Sequence, residues 1–201
     1  MQTLNETSTG LNYVDVAGDQ LLELLQGVST HASKDKALPT LNAVQLESTG
    51  GAFIARATDR YRLIEGTMGT LEGGQLDPAL VSLEDIKRII TLLKDHKGHL
   101  IGFSRIGDTL SVSALGDSIS CTVLEGKYPP TAQLFTDSEG DPIAIEGVAF
   151  NPALMADYAK IAGKGAGIKL YFNGESKPIR VRITGDKVTW RALLMPMRYK
   201  D

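Results

Sequence analysis

The feature that most constrains this chain is a repeat of pattern without a repeat of residues. From Leu11 an extended run, LNYVDV, leads into a helical stretch near Asp19 whose Leu21, Leu22, Leu24, Leu25 and Val28 share one apolar face. Three extended runs follow: LNAVQLES, AFIARAT after a Thr49-Gly50-Gly51 turn, and YRLIEGTM. Glycine-rich Leu71 to Pro78 reads as the loop that ends this first unit. The same order then returns. A short strand ALV precedes a helix capped by Ser82, with Asp85 three residues on. Its Leu83, Ile86, Ile89, Ile90 and Leu93 lie on one side, and HLIGFSR, TLSVSA and SISCTVL follow as strands separated by Gly107-Asp108 and Gly116-Asp117 turns.

A third round begins at GVAF. Asn151-Pro152 is a cap and first-turn pair, Leu154, Met155, Tyr158 and Ile161 form the stripe, and Gly163 closes the helix. Strands IKLYF, PIRVRIT and VTWRALLM follow, with turns at Asn173-Gly174 and Gly185-Asp186. Residues 125–146, with Pro129, Pro130, Pro142 and several acids, read as a connector with little regular structure. The expected organisation is a two-unit domain over 1–124 (half-units 11–68 and 79–124), the connector 125–146, and a half domain over 147–201. Each unit buries one helical stripe on a small antiparallel sheet, so the fold class is α+β. Units of about 50 residues are marginal alone and pair. Two can pair within the chain; the third is left with an open edge, which predicts self-association.

The last strand, Lys187 to Arg198, carries its apolar run into Met195, Pro196, Met197 and Arg198. Pro196 has no amide proton for a ladder, so the chain leaves its sheet there. Two pliant Met side chains beside a rigid ring suit a shallow groove for varied apolar ligands, the plain alternative being ordinary core.

The chain has 201 residues, 42% hydrophobic and 22% charged, which is globular and excludes a disordered or disulfide scaffold. A net charge of -3 excludes a protein coated in base, though not a local basic surface. Cys121 is the single cysteine, in an alternating run, and reads as a small core residue. No leader, membrane-length run or lipidation motif is visible, and a reducing cytoplasmic setting is expected. His31, His96 and His99 read as solvated loop histidines without metal-site spacing. No nucleophile elbow, zinc helix, phosphate loop or dinucleotide fingerprint occurs, so neither catalysis, metal nor cofactor is expected. Lys87, Arg88, Lys94 and Lys97 lie on or just after the polar side of the second helix, and Lys160 and Lys164 on that of the third. Charged helix faces are commonly just solvated; their recurrence in two units instead suggests a diffuse field for phosphate.

Together these segments resemble the bacterial sliding clamp, the beta subunit of DNA polymerase III. LNAVQLESTGGAFIARATDRYRL is similar to the clamp stretch ending in a Thr-Asp-x-x-Arg-Leu corner, here Thr58, Asp59, Arg62 and Leu63. VSLEDIKRIITLLK with the later LEGKYPP resembles the second half of a clamp domain and its connector, with Tyr128-Pro129 in the Phe-Pro place. FNPALMADYAKIA and LLMPMR resemble the start and end of the last half-domain.

The resemblance implies a clamp fold, with helices lining a central hole and sheets outside, and a homo-oligomeric ring that slides on double-stranded DNA without reading its sequence. It implies a peptide groove for the replicative polymerase and clamp loader, walled by Thr58, Tyr61, Arg62, Leu63, Pro129, Leu134, Met195, Pro196, Met197 and Arg198. Arg60, Tyr61 and Gln133 depart from the family's usual Gly, His and basic residue. The six basic residues named above would face DNA. Bacterial clamps carry six such units per chain and twelve per ring; three units here imply four chains, or three chains if the connector hides a fourth unit. So short a member suits a phage genome. A non-encircling adaptor that keeps the groove is the alternative.

Overall fold

The computed structural model describes residues 12–138, 145, 147–163, 166–185 and 187–198. Leu11, Pro142 and Asp186, assigned above to a strand, the connector and a turn, lie outside them. In chain order the elements are β1 (Tyr13–Ala17), α1 (Gly18–Ser29), β2 (Ala43–Thr49), β3 (Ala52–Thr58), β4 (Arg62–Gly69), β5 (Glu72–Ser82), α2 (Leu83–Asp95), β6 (Leu100–Ile106), β7 (Thr109–Ala114) and β8 (Asp117–Thr122). Then follow α3 (Thr131–Asp137), α4 (Pro152–Ala156), α5 (Tyr158–Ala162), β9 (Ile168–Tyr171), β10 (Ile179–Ile183) and β11 (Thr189–Leu194).

All eleven strands join one antiparallel sheet in the order β8-β7-β6-β1-β5-β2-β3-β4-β11-β10-β9. Its centre is an exchange. β1 leaves its own unit to pair with β6, and β5 leaves its own to pair with β2, while β1 and β5 pair with each other. Helices α1, α2 and α5 cover one face, and α3 lies on the other. On the first face Leu21, Leu24 and Leu25 of α1 and Ile86, Ile89 and Leu93 of α2 are fully buried there, and Phe53 meets Phe103 at 5.0 Å between ring centroids. Gly18 starts α1 where a Cβ would stand 2.7 Å from the His96 carbonyl, which allows α1 to begin against the end of α2. Ser82 caps α2 as its sequence predicts, its Oγ accepting from the Asp85 amide at 3.0 Å.

Four local expectations are corrected. The stretch from Leu71 to Pro78 is no loop: residues 72–75 pair with β1 and 76–82 with β2, so β5 is one long strand. Pro78 is tolerated because it lies opposite the register shift between Leu46 and Ser48, where the ladder is interrupted. The connector contains a helix, α3, held down by Phe135 packed on Leu63 and Leu193. The third unit's helix is broken into α4 and α5, since the Leu154 carbonyl, which would accept from Tyr158 in a continuous helix, accepts from Arg62 at 3.2 Å. His31 is not solvated but fully buried against the Tyr158 ring, and His96 holds Asp117 at 3.0 Å; only His99 is open to solvent.

Candidate partner groove and nucleic-acid face

The β3–β4 corner is built by two short polar side chains. Asp59 Oδ1 accepts from the amides of Tyr61 and Arg62, each at 3.0 Å, while Thr58 Oγ1 donates to the Arg62 carbonyl at 2.7 Å and accepts from the Arg60 amide. Arg60 is thereby held at φ 79°, a conformation glycine adopts without strain. The corner decides which side chains face out. Tyr61 is 60% exposed, whereas Arg62 and Leu63 turn inward.

The exit of β11 meets this corner. The Met195 amide donates to the Tyr61 carbonyl at 2.8 Å, Pro196 has no amide to give, and the Met197 amide donates to the Ala149 carbonyl at 2.8 Å. Met195 and Met197 are consequently 39% and 49% exposed beside Tyr61. On the sheet face opposite α1 and α2, Leu63, Leu193 and Phe135 form a buried floor, and Leu134, next to Phe135 in α3, is exposed. Pro129 is half-buried; Arg198 is exposed. Of the ten groove residues read from the sequence, Tyr61, Leu134, Met195 and Met197 offer open apolar surface. Thr58 and Arg62 hold the corner, and Leu63 is floor.

Arg62 is the hub. Its Nε bonds Asp59 at 3.0 Å, one Nη bonds Asp157 at 2.7 Å and the Leu154 carbonyl, and the other the Thr30 carbonyl at 2.7 Å. One guanidinium therefore ties β4, the end of α1 and the break between α4 and α5. Burial pulls the Asp157 carboxyl up, yet hydrogen bonds from Lys160 and Arg62 outweigh it and hold the group below its ordinary range.

On the helix face, Lys87, Arg88 and Lys94 of α2 point away from the sheet, and Lys97 follows in the next loop, all exposed. Arg88 is paired with Asp85 at 2.6 Å and Lys160 with Asp157 at 2.7 Å; Lys87, Lys94 and Lys97 carry no ion pair among the described residues. Lys164 lies outside those residues. The face of α1 carries Asp19 and Glu23 instead, and Asp19 binds Lys187 at 2.5 Å. That bond holds the Asp19 carboxyl below its ordinary range. Cys121 is buried in β8, and burial pushes its thiol up to about 11. No cluster of three or more metal-ligating side chains occurs among the described residues.

The sequence reading missed a second basic surface. On the face opposite α1 and α2, Arg180, Arg182 and Arg191 surround a hollow of about 320 Å³ with Phe135 and Tyr171, and Arg191 lies 4.2 Å over the Phe135 ring. Alternation in IRVRI was its signal. Beside it runs a charge ladder, Arg56 to Glu47 and Glu65, and Glu65 to Arg191, which crosses from β4 to β11.

Bacterial clamps are among the solved structures with this architecture. The Thermotoga maritima DNA polymerase III beta subunit aligns with 100% of this chain and 69% of its own at TM-score 0.80 and 17% identity; the Pseudomonas aeruginosa sliding clamp aligns at 0.78 and 14%, covering 99% and 69%. The fold is that of the bacterial sliding clamps. In sequence, the chain is similar to the beta sliding clamp homolog GriR of Streptomyces muensis, with 32% identity over 130 residues, 60% of this chain and 33% of that protein. The Micrococcus luteus beta sliding clamp is 29% identical over 154 residues, 73% of this chain and 47% of its own. The chain thus spans a third to a half of the curated clamps it matches, and no family model matches it. Among the described residues, no helix is long and apolar enough to cross a membrane.

Proposed function

We propose that this chain is the subunit of a DNA sliding clamp: a cytoplasmic, non-catalytic processivity factor that surrounds duplex DNA and holds a replicative polymerase on it. The observation that carries the reading is one continuous sheet, with α1, α2 and α5 on one face and only the short α3 on the other, ending in two unpaired edge strands, β8 and β9. Edges of this kind invite other chains, and joining them extends the sheet into a closed wall with helices inside. The benefit is avidity: a tethered polymerase that lets go stays at high effective concentration near the primer. Lys87, Lys94 and Lys97, with Arg88, Lys160 and Lys164, would face the phosphates without reading bases.

The groove of Tyr61, Leu134, Met195 and Met197 is the docking site for short apolar peptide motifs of the polymerase and of a clamp loader. Met side chains adapt to more than one such motif. Met197→Asp is expected to abolish polymerase stimulation and leave the mass of the assembly unchanged; a loss of assembly instead would make Met197 structural.

The deciding experiment is retention on DNA. After loading, the protein should stay on circular plasmid through a high-salt wash and leave once the plasmid is linearised, since salt weakens charge contacts but not topological linkage. A second reading, a non-encircling adaptor that keeps the groove, draws on the acids of α1 and on the pairing of Arg88 and Lys160 with carboxylates. Equal loss from circular and linear DNA would favour it.

A further inference from the structure

One hydrogen bond marks the same place in all three units. The Leu71 amide donates to the Asp15 carbonyl at 2.9 Å, the Leu124 amide to Leu80 at 2.8 Å and the Met197 amide to Ala149 at 2.8 Å. Each acceptor stands three residues before its helix, which begins at Gly18, Leu83 or Pro152. Asp15, Leu80 and Ala149 are therefore counterparts, and so are Glu65, Ser118 and Arg191, six residues before the three donors. Residues 147–150 play in the third unit the part of β1 and β5.

With this alignment both joints inside the chain obey one rule. First strands meet first strands, β1 with β5, each then pairing with the other unit's second strand. Fourth strands meet fourth strands, β4 with β11, and there Glu65 lies opposite its own counterpart Arg191. Each joint is a local two-fold. β8 is a fourth strand without a partner, and both other fourth strands are taken. Likewise β9, a second strand, lacks a first strand, and both β1 and β5 are taken.

Resting on the ring proposed above, we infer that the chain closes it through two different two-fold contacts with copies of itself: β8 against β8, and third unit against third unit with exchange of residues 147–150. Alternating contacts of this kind close only with an even number of chains, and four chains supply twelve units in a dihedral ring.

The side chains fit. At a two-fold a residue meets its own copy, so a charge there repels itself. The β4–β11 joint carries the Glu65–Arg191 ion pair at 2.5 Å, a combination only unlike strands can make. At the same position β8 carries Ser118, a hydroxyl that can both donate to and accept from its copy, followed by Ile119 and Ser120. The strand's one charge, Asp117, is engaged by His96. At the other contact the need is apolar. Val148, Phe150 and Met155 are only partly buried, while their counterparts Val14, Val16 and Leu21 in the first unit and Ala79, Val81 and Ile86 in the second are sealed; Leu154, Leu170 and Phe172 are partly buried on the same core. A second third unit would finish that core as the first two finish each other's. Since two-folds invert alternate chains, the ring has two equivalent faces, each displaying two of the Tyr61–Met195–Met197 grooves.

The test is light scattering on the full chain. Wild type is expected at four times the 21.6 kDa chain mass. Ser118→Asp sets two carboxylates face to face and should halve that mass, leaving dimers held by the third unit. Ile168→Asp, on the exposed edge of β9, should halve it too, leaving dimers held by β8, and the double variant should be monomeric. Single variants that fall straight to monomers, or a wild type of three chains, indicate one head-to-tail contact and overturn the inference while retention on circular plasmid still supports the clamp. A monomeric wild type overturns both. A gentler variant reads the same contact: Ser118→Cys with Cys121→Ser should form a same-residue disulfide dimer on mild oxidation, because opposed residues of an antiparallel pair lie within disulfide reach. Absence of that dimer in a folded tetramer also overturns it.

Discussion

Arg62 shows how much of this molecule hangs on one side chain. Its planar fork reaches acceptors on three elements at once, which a lysine's single ammonium cannot do. Arg62→Met should leave the half-buried Asp157 with only Lys160, strip the Thr30 and Leu154 carbonyls of their donor, and cost about 3 kcal/mol, read as a lower urea midpoint. His31 makes a second case. Burial, then the nearby Arg62 charge, lower its pKa from 6.5 to about 3, so the folded chain holds it neutral. The unfolded chain binds a proton below pH 6.5 that the folded chain refuses, so stability is complete above that pH and falls as pH drops towards 3. About 2 kcal/mol should be lost between pH 7 and pH 5, and His31→Gln should flatten the dependence in urea melts.

Among the elements, the seam between first and third units depends on Trp190 of β11. Its ring lies where a Cβ on Gly66 would stand 2.6 Å from it and one on Gly27 would intrude further still. A Cβ on Gly66 would meet Leu24 of α1 nearer still, so Gly66→Ala should press Trp190 and α1 off β4 and destabilise the seam by about 1 to 3 kcal/mol. Differential hydrogen exchange should increase in β11 and α5 before it does in α2. Helix α2 was legible because its signals are local: a cap at Ser82 and a stripe through Leu93. Strand β5 was not, since Gly73, Gly74 and Pro78 argue for a loop, and only its two different neighbours make it a strand. Phe135 likewise gave α3 no signal until Leu63 and Leu193 were brought beneath it from 72 and 58 residues away.

Across the whole molecule, charge is distributed unevenly between the two faces of the sheet. The helix face mixes the lysines of α2 with the acids of α1, while the opposite face gathers Arg180, Arg182 and Arg191 beside the groove floor. In the proposed ring a diffuse field of this kind would not grip DNA tightly, which would suit a sleeve that slides and would place the burden of retention on closure. The two edges, β8 and β9, would carry that burden. β8 carries one charge, Asp117, which His96 engages, and β9 borders a partly exposed core, so the proposed assembly would draw on ladder bonds and apolar burial, which salt weakens little.

The sequence alone determined the apolar faces of α1 and α2 and the exit of the last strand at Pro196 between two methionines, because each follows from short-range period, capping and turn chemistry. Only the tertiary structure decided that β1 and β5 trade places, that Arg62 and His31 turn inward, and which strands remain open. Those outcomes depend on which backbone donors and apolar faces distant segments leave unsatisfied, and no local pattern records that.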